Sequence, residues 1–257
     1  MVYKNKWILG CLVLAWLLVA LKAQAETLLV YGDDSYPPVV YNRLGKPAGA
    51  LVEIMGRVSA LTGDTYEIRL FPWKRAYEHA RQGRAAVMGI SKNSERVGVF
   101  DFSDPMYFDD IQIVVKKGRE FPFKQLSDLK AKTFGGVLGA SYGEDVDQAI
   151  KNGLFKMDQD TDQKARLHKL LLGRLDGAFI GNGKAAFDSL VDSDPALQKQ
   201  RSELVVLATP LARDPLYLAI PKSMQKKDLI ERFNIALREI LTVTTSKLVP
   251  NDGKAKK

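Results

Sequence analysis

Two extended apolar runs enclose a complete set of helices and strands, and this arrangement restricts the fold more than any other feature of the chain. Residues 111–115 form a run rich in β-branched side chains, and residues 216–220 form a similar apolar run that ends at Pro221. Short apolar runs alternate with amphipathic segments before, between and after them, which is the pattern of an α/β protein. We therefore predict an α/β fold of two lobes joined by two crossing strands.

Apolar periodicity and the positions of glycine and proline predict the individual elements. The predicted strands, apart from the two runs above, are 27–31, 66–71, 85–90, 133–138, 178–180 and 204–208. The predicted helices are 51–61, 73–82, 142–151, 162–172, 184–191 and 224–241. We expect the first lobe to comprise residues 26–114 and 215–250 and the second lobe residues 115–214, with a frayed tail at 251–257.

The first 25 residues have the three parts of a secretory signal. Lys4 and Lys6 precede an apolar run at 7–21, and Ala23-Gln24-Ala25 is a small-x-small cleavage site. We expect cleavage after Ala25 and a periplasmic protein that begins at Glu26. The alternative, an uncleaved membrane anchor, is disfavoured because the apolar run is short for a full span.

Cys11 is the only cysteine, and it lies inside the predicted signal. Residues 8–11 faintly resemble a lipoprotein box, but the apolar run follows this cysteine instead of preceding it. The exported chain then has no disulfide and depends on its hydrophobic core, which is feasible at this length.

The formal net charge of +8 overstates how basic the folded protein is. Three of the excess charges are the signal lysines Lys4, Lys6 and Lys22, and the tail at 251–257 carries three lysines against Asp252. The remaining excess is too small for the basic surface that nucleic-acid binding requires. We therefore expect no nucleic-acid partner.

Motifs for cofactors, metals and covalent catalysis are missing from the sequence. There is no dinucleotide or phosphate-binding glycine motif, no cysteine nucleophile and no G-x-S-x-G serine. His79 and His168 lie on separate predicted helices, so a metal site is not expected. Residues 139–143 open a predicted helix; there Ser141 either helps to hold an anion at the helix N-terminus or simply caps the helix.

The segment from Ser91 to Tyr107 has the composition of a small anion pocket. Arg96 carries a fork of donors that matches a carboxylate, and Ser91 and Ser94 add hydroxyl groups beside it. The alternative is a surface arginine paired with Glu95 or Asp101.

This segment, SKNSERVGVFDFSDPMY, resembles the corresponding motif of the bacterial extracellular solute-binding proteins of family 3. Further motifs agree in order and spacing: Tyr36-Pro37-Pro38, the glycine-rich stretch 135–141 and GRLDGAF at 173–179. The resemblance implies a two-lobed periplasmic binding-protein fold. It also implies two hinge strands and a ligand held between the lobes.

The resemblance assigns expected roles to individual residues. Arg96 is expected to hold a ligand carboxylate, with Ser91 and the helix-start residues Ser141 and Tyr142 donating hydrogen bonds. Tyr36 is expected to pack on the ligand. Cleft positions are also expected for Trp73, Tyr107 and Asn182. For the aromatic residues the alternative is ordinary core packing, and for Trp73 the sequence leaves both open.

One position departs from the family pattern. Amino-acid receptors that this chain resembles carry a carboxylate after the strand at 178–180, where it pairs with the ligand ammonium. Here that place is Gly181 or Asn182. An unpaired buried charge is costly, so the ligand either lacks an α-ammonium group or pairs it with another acid. The alternatives in the sequence are Asp33, Asp34 and Glu144.

Together these features predict a monomeric periplasmic receptor that captures a small polar, carboxylate-bearing ligand. The resemblance implies that it delivers the ligand to an ABC permease in the inner membrane. No cofactor is expected, because the sequence has no cofactor-binding motif. One alternative is an enzyme on the same scaffold that resembles cyclohexadienyl dehydratases, with Glu144 as a candidate general acid. Another is a sensory binding module.

Overall fold

A computed structural model describes the backbone of residues 25–248 and the side chains of residues 25–242. The predicted signal with Cys11 and the predicted tail lie outside the described residues. The strands are β1 Thr27–Asp33, β2 Ser35–Tyr36, β3 Val40–Arg43, β4 Lys46–Ala48, β5 Thr65–Phe71, β6 Ala86–Ser91, β7 Phe100–Phe102, β8 Tyr107–Lys116, β9 Thr133–Val137, β10 Lys156–Asp160, β11 Gly177–Ile180, β12 Leu204–Val206 and β13 Ala212–Pro221. The α-helices are α1 Ala50–Thr62, α2 Trp73–Arg81, α3 Ser94–Val99, α4 Glu144–Lys151, α5 Gln163–Leu171, α6 Gly183–Asp192, α7 Pro195–Lys199 and α8 Lys227–Leu248.

The two long strands β8 and β13 lie side by side in the middle of one continuous sheet. The strand order is β10-β9-β11-β8-β13-β6-β1-β5, and β8 and β13 run antiparallel. On one side β13 pairs with β6, and on the other β8 pairs with β11. We call β8 and β13 the connecting strands, because each half of the sheet reaches the other through them.

The hydrophobic interior is divided in the same way. One core contains Leu28 of β1 and Met88 of β6 together with Phe233 of α8. Another contains Phe134 of β9 and Phe179 of β11, with Phe155 just before β10. The predicted two-lobed α/β fold is confirmed. The residue limits of the lobes stay a prediction, and we propose the connecting strands as the boundary.

The elements that the sequence did not predict are short or polar. β10 reads Lys-Met-Asp-Gln-Asp and lies at the edge of the sheet, so it has no apolar run to reveal it. The strands β2, β3 and β4 form a separate small sheet of two to four residues each. The predicted last helix starts later than expected, at Lys227, because Lys222–Met224 form a 3-10 turn and Gln225 adopts a left-handed conformation with φ of 54°.

Over residues 25–248, none of the helices combines the length and the apolar character needed to span a bilayer.

Candidate ligand-binding site between the lobes

A small cavity lies where the two lobes meet the connecting strands. The volume accessible to the centres of water molecules inside it is about 70 Å³. Its walls come from the first lobe, from both connecting strands and from the second lobe. The polar side chains that line it are Asp33, Tyr36, Ser91, Asp109, Ser141, Tyr142, Gln163, Arg166 and Asp214, with Trp73 and several aliphatic groups beside them. Concave sites with a few convergent polar groups are typical of small-molecule binding.

Each connecting strand contributes one buried aspartate to this cavity. Asp109 on β8 and Asp214 on β13 are direct partners across the antiparallel pair, and they are 4% and 5% exposed. Burial alternates along both strands at this point, so Asp109 shares its face with Ile111 and Asp214 with Leu216. The fold thus places two carboxylates opposite each other at the junction of the lobes.

The hydrogen bonds of these aspartates come from neutral groups. Asp109 accepts from the Tyr36 hydroxyl and from the backbone N–H of Asn182, at 2.5 Å for the latter. Asp214 accepts from the Ser91 hydroxyl at 2.5 Å. Burial raises the pKa of Asp214 to about 7, an effect that the Ser91 hydrogen bond offsets only in part. Burial also raises the pKa of Asp109 and takes that of Asp33 to about 6.

Arg166 on α5 is the cationic side chain of the cavity wall, and its charge is already matched. The guanidinium contacts Asp160 at 2.6 Å and donates to the carbonyl of Phe179 at 2.6 Å. A side chain at position 135 would place its Cβ 2.6 Å from Cγ of Arg166, so Gly135 provides the space for this buried arginine. Arg166 is 1% exposed, as expected for a paired internal charge.

Direct hydrogen bonds join the lobes around the cavity. The Trp73 indole donates to the Gly139 carbonyl at 3.0 Å, and the Ser91 hydroxyl also lies 3.2 Å from the Ser141 carbonyl. At the outer rim, Glu144 accepts from the backbone and hydroxyl of Ser94 at 2.7 and 2.9 Å. These bonds hold the two lobes in a closed arrangement.

Arg96 is buried, but it does not line the cavity. Its guanidinium donates to the carbonyls of Ser91 at 2.8 Å and Gly139 at 3.2 Å, and it lies over the ring of Tyr77. Burial lowers the pKa of its guanidinium. Arg96 therefore joins the lobes here, while its proposed contact with a ligand carboxylate stays a prediction. The alternative pairing with Glu95 or Asp101 is not formed among its hydrogen bonds or ion pairs in the described residues.

The turn before α4 is occupied by a carboxylate of the chain itself. Asp147 accepts from the Ser141 hydroxyl at 2.5 Å and from the Tyr142 N–H at 3.0 Å. Helix α4 starts at Glu144, later than predicted, and Gly143 precedes it without a side-chain cap. Donors that the sequence suggested for a ligand thus contact Asp147. The Tyr142 ring still lines the cavity, with its hydroxyl accepting from the Val137 N–H at 2.8 Å.

The remaining predicted residues fall into two groups. Tyr36 and Trp73 line the cavity, whereas Tyr107 and Asn182 line a neighbouring groove that opens beside it. Both polar atoms of the Asn182 side chain are buried without a hydrogen-bond partner among the described residues.

The three acids considered as substitutes for the family carboxylate lie in different places. Asp33 lines the cavity, Asp34 lines the neighbouring groove, and Glu144 lies at the outer rim.

Sequence reasoning missed three charged residues of the cavity: Asp109, Asp214 and Arg166. For Asp109 and Asp214 a signal was present, because each lies two residues before a buried position of an apolar run and so shares its face. For Arg166 a signal was also present, because it lies four residues before Leu170 and shares the buried face of its helix. Within residues 25–248, no group of three or more His, Cys, Asp or Glu side chains is arranged to hold a metal ion.

The sequence profile of the bacterial extracellular solute-binding proteins, family 3, matches residues 28–248. Among characterised relatives, the L-cystine-binding protein TcyJ of Escherichia coli (strain K12) is 29% identical over 217 residues, covering 83% of this chain and 77% of the relative.

Solved structures share the architecture. An ancestral arginine-binding protein bound to arginine has a TM-score of 0.67 at 25% identity, covering 84% of this chain and 92% of the other. A histidine kinase sensor domain with similarity to periplasmic binding proteins has a TM-score of 0.70 at 22% identity, covering 86% and 93%. The ancestral amino acid-binding protein AncCDT-1, a precursor of cyclohexadienyl dehydratase, has a TM-score of 0.62 at 22% identity, covering 84% and 90%.

Proposed function

The chain belongs to the bacterial extracellular solute-binding proteins of family 3, and we propose that its two lobes close over a small amino-acid-type ligand for delivery to an ABC permease. The observation that carries the proposal is the cavity at the junction of the lobes, which both lobes and both connecting strands line. A ligand there contacts every part that moves when the lobes separate. Its binding energy therefore favours the closed population.

A thermal-shift screen tests the binding function. The panel contains the common amino acids, L-cystine, L-arginine, small dicarboxylates and polyamines; cystine and arginine are included because similar proteins are named for them. A ligand at a hundred times its Kd is expected to stabilise the folded protein by about 2.7 kcal/mol. The proposal fails if no compound of these classes raises the melting temperature.

Arg96 is proposed to hold the carboxylate of the ligand in the closed form, beside Ser91 at the edge of the cavity. Its guanidinium has more donors than the two carbonyl bonds described above use. Arg96→Lys replaces the fork with a point charge and is expected to weaken ligand binding by about 1.5–3 kcal/mol in calorimetry. Unchanged affinity would leave Arg96 as a tie between the lobes only.

Binding without turnover is part of the proposal. Glu144, the general acid that a dehydratase-like reaction could use, lies outside the cavity, and hydrogen bonds led by the Ser94 N–H lower the pKa of its carboxyl group. A proton donor for such chemistry would have to come from the cavity itself. Incubation with prephenate or arogenate is expected to give no aromatic product, and steady product formation would assign the protein to the enzymes instead.

Export is the last part of the proposal. The family is extracellular, and we propose a periplasmic protein released by cleavage after Ala25. Mass spectrometry of a periplasmic extract is expected to find Glu26 as the first residue. A full-length membrane-bound form, or a lipid on Cys11, would contradict this.

A further inference from the structure

The two aspartates of the connecting strands face each other at a close range that is normally avoided. Asp109 and Asp214 are direct partners in an antiparallel pair, where opposite side chains start about 4.5–5.5 Å apart. Like charges in such positions repel each other, and burial removes the water that would screen them. Some other interaction must offset this cost whenever both carboxylates are ionised.

Within residues 25–242, no lysine or arginine offsets this cost through an ion pair with either aspartate. Neither aspartate has an ion pair with a lysine or arginine there, and their hydrogen bonds come from Tyr36, Asn182 and Ser91. Arg166 is matched by Asp160, and Arg96 donates to the carbonyl groups of Ser91 and Gly139. Burial raises the pKa of Asp214 by more than the charge of Arg96 lowers it. The cavity wall therefore carries more acid than its own cations can neutralise.

The neighbouring backbone is shaped to admit one of these carboxylates. A Cβ at position 181 would lie 2.8 Å from Oδ2 of Asp109 and 2.6 Å from the Tyr36 hydroxyl, so only glycine fits there without displacement. The next residue, Asn182, turns its N–H onto Asp109 at 2.5 Å in a left-handed conformation with φ of 67°. The amide of the Asn182 side chain remains buried and unpartnered among the described residues. Gly181 and Asn182 thus hold an acid from the adjacent strand in this part of the site.

We propose that Asp109 and Asp214 together bind a protonated nitrogen of the ligand, so that the receptor selects compounds carrying an ammonium or guanidinium group. This inference rests on the proposed function, and it names the chemical class that the cavity accepts. The ligand cation neutralises the two carboxylates, and it binds where both connecting strands meet. The charge of the ligand therefore acts at the same place where the two lobes are joined, and so affects their closure.

Calorimetric titration of the wild type and three single variants tests the proposal. The variants are Asp109→Asn, Asp214→Asn and, as a matched control, Asp110→Asn, which lies next on β8 but is exposed and paired with Arg213 at 3.7 Å. The probes are L-glutamate with glutarate, L-lysine with L-norleucine, L-arginine, L-cystine and putrescine. Calcium and magnesium chloride are titrated separately.

The proposal predicts that the bound probes carry a protonated nitrogen and that a matched compound without it binds at least ten-fold more weakly. Asp109→Asn and Asp214→Asn should each weaken binding by about ten- to hundred-fold, the range of a charge-assisted hydrogen bond, while Asp110→Asn leaves it unchanged. Binding of glutarate alone, equal affinity in the cavity variants, or a preference for divalent metal would overturn the cation site yet keep a binding protein. Failure of every probe to bind would overturn both.

Discussion

Two acidic clusters in this fold differ in whether cationic side chains of the chain pair with them. At the start of β1, Glu26 and Asp64 meet Lys226 and Arg232 of the last helix region, with Arg232 3.1 Å from both acids. We call these four residues the amino-terminal cluster. In the cavity, Asp109 and Asp214 meet only hydroxyl and amide donors. The carboxylates of the amino-terminal cluster have ion-pair partners in the chain, and those of Asp109 and Asp214 have none among the described residues.

The pKa values of the two sets move in opposite directions as a result. Burial raises the pKa of Asp64, but the bonds from Arg232 and the Glu26 N–H outweigh it and leave a net lowering. The Lys226 contact leads the lowering of the pKa of Glu26. Burial dominates at Asp214 and takes its pKa to about 7. Glu26 and Asp64 are neutralised within the chain, whereas Asp109 and Asp214 are proposed to be neutralised by a ligand.

The largest expected effect comes from unpairing the matched cluster. Arg232→Met leaves the fully buried Asp64 with no arginine, and it should lower the free energy of unfolding by about 2–3 kcal/mol in urea denaturation. The loss is smaller than for a fully buried pair because the Arg232 side chain is 23% exposed. As a control, Arg238→Met removes an exposed pair with Asp104 and should cost less than about 1 kcal/mol. Equal losses for both variants would remove the distinction between matched and surface pairs.

The unmatched acids predict an unusual dependence of stability on pH. The pKa of Asp214 in the folded protein is about 7, above its usual 3.8, so the folded state holds a proton that the unfolded state has lost between about pH 4 and 7. The free energy of unfolding of the ligand-free protein should therefore fall with rising pH in this window, by at most about 1.4 kcal/mol per pH unit for this group. Asp33, with a pKa of about 6, acts in the same direction up to that pH.

The amino-terminal cluster predicts the reverse sign in a lower window. Its lowered pKa values add stability that is present above about pH 4–4.5 and is lost as the pH falls through the folded values. Denaturation of the wild type and Asp214→Asn from pH 3 to 8 separates the two. The variant should lose part of the decline between pH 4 and 7 and keep the drop at low pH. An unchanged profile would contradict the assignment to Asp214.

A smaller effect is expected at the contact between the lobes. Trp73→Phe keeps an aromatic ring but removes the indole donor to Gly139, whose carbonyl also accepts from Arg96. Losing one neutral hydrogen bond of the closed state should weaken ligand binding by about 0.5–1.5 kcal/mol. Because Trp73 is buried in a cluster with Tyr77, the smaller ring also lowers the stability of the ligand-free protein, which is measured separately. Calorimetry gives the affinity, and equal affinity would mean that this bond does not favour closure.

The smallest effect concerns Glu26, the residue proposed to become the first one after cleavage. The Glu26 nitrogen donates to Asp64 at 2.9 Å, so cleavage after Ala25 would place an α-ammonium on this acid. A protein that starts at Glu26 should be more stable than one with Gly-Ser before it, by a few tenths of a kcal/mol to about 1 kcal/mol. Matched urea denaturation of the two forms measures the difference, which should vanish with Asp64→Asn.

The sequence predicted the parts of this molecule that depend on local pattern. Apolar periodicity located most helices and strands, and family motifs led to Ser91, Tyr36 and Trp73, which line the cavity. The burial of Asp109 and Asp214 could have been predicted, but their position opposite each other could not, because it depends on the register of β8 against β13. The pairing of Arg166 with Asp160 depends on how α5 packs beside β10. The contacts of Arg96 with Ser91 and Gly139 likewise depend on how the lobes meet.

The most direct test of the account is a pH titration of the aspartate carboxyl groups by ¹³C nuclear magnetic resonance, with Asp214→Asn and Asp64→Asn to assign the two signals. In the ligand-free protein we expect Asp214 to titrate with a pKa of about 7 and Asp64 to titrate below its usual 3.8. A protonated nitrogen bound in the cavity should lower the first value and leave the second unchanged. Titration of Asp214 near 4 in the free protein would contradict the claim that its charge has no partner within the chain.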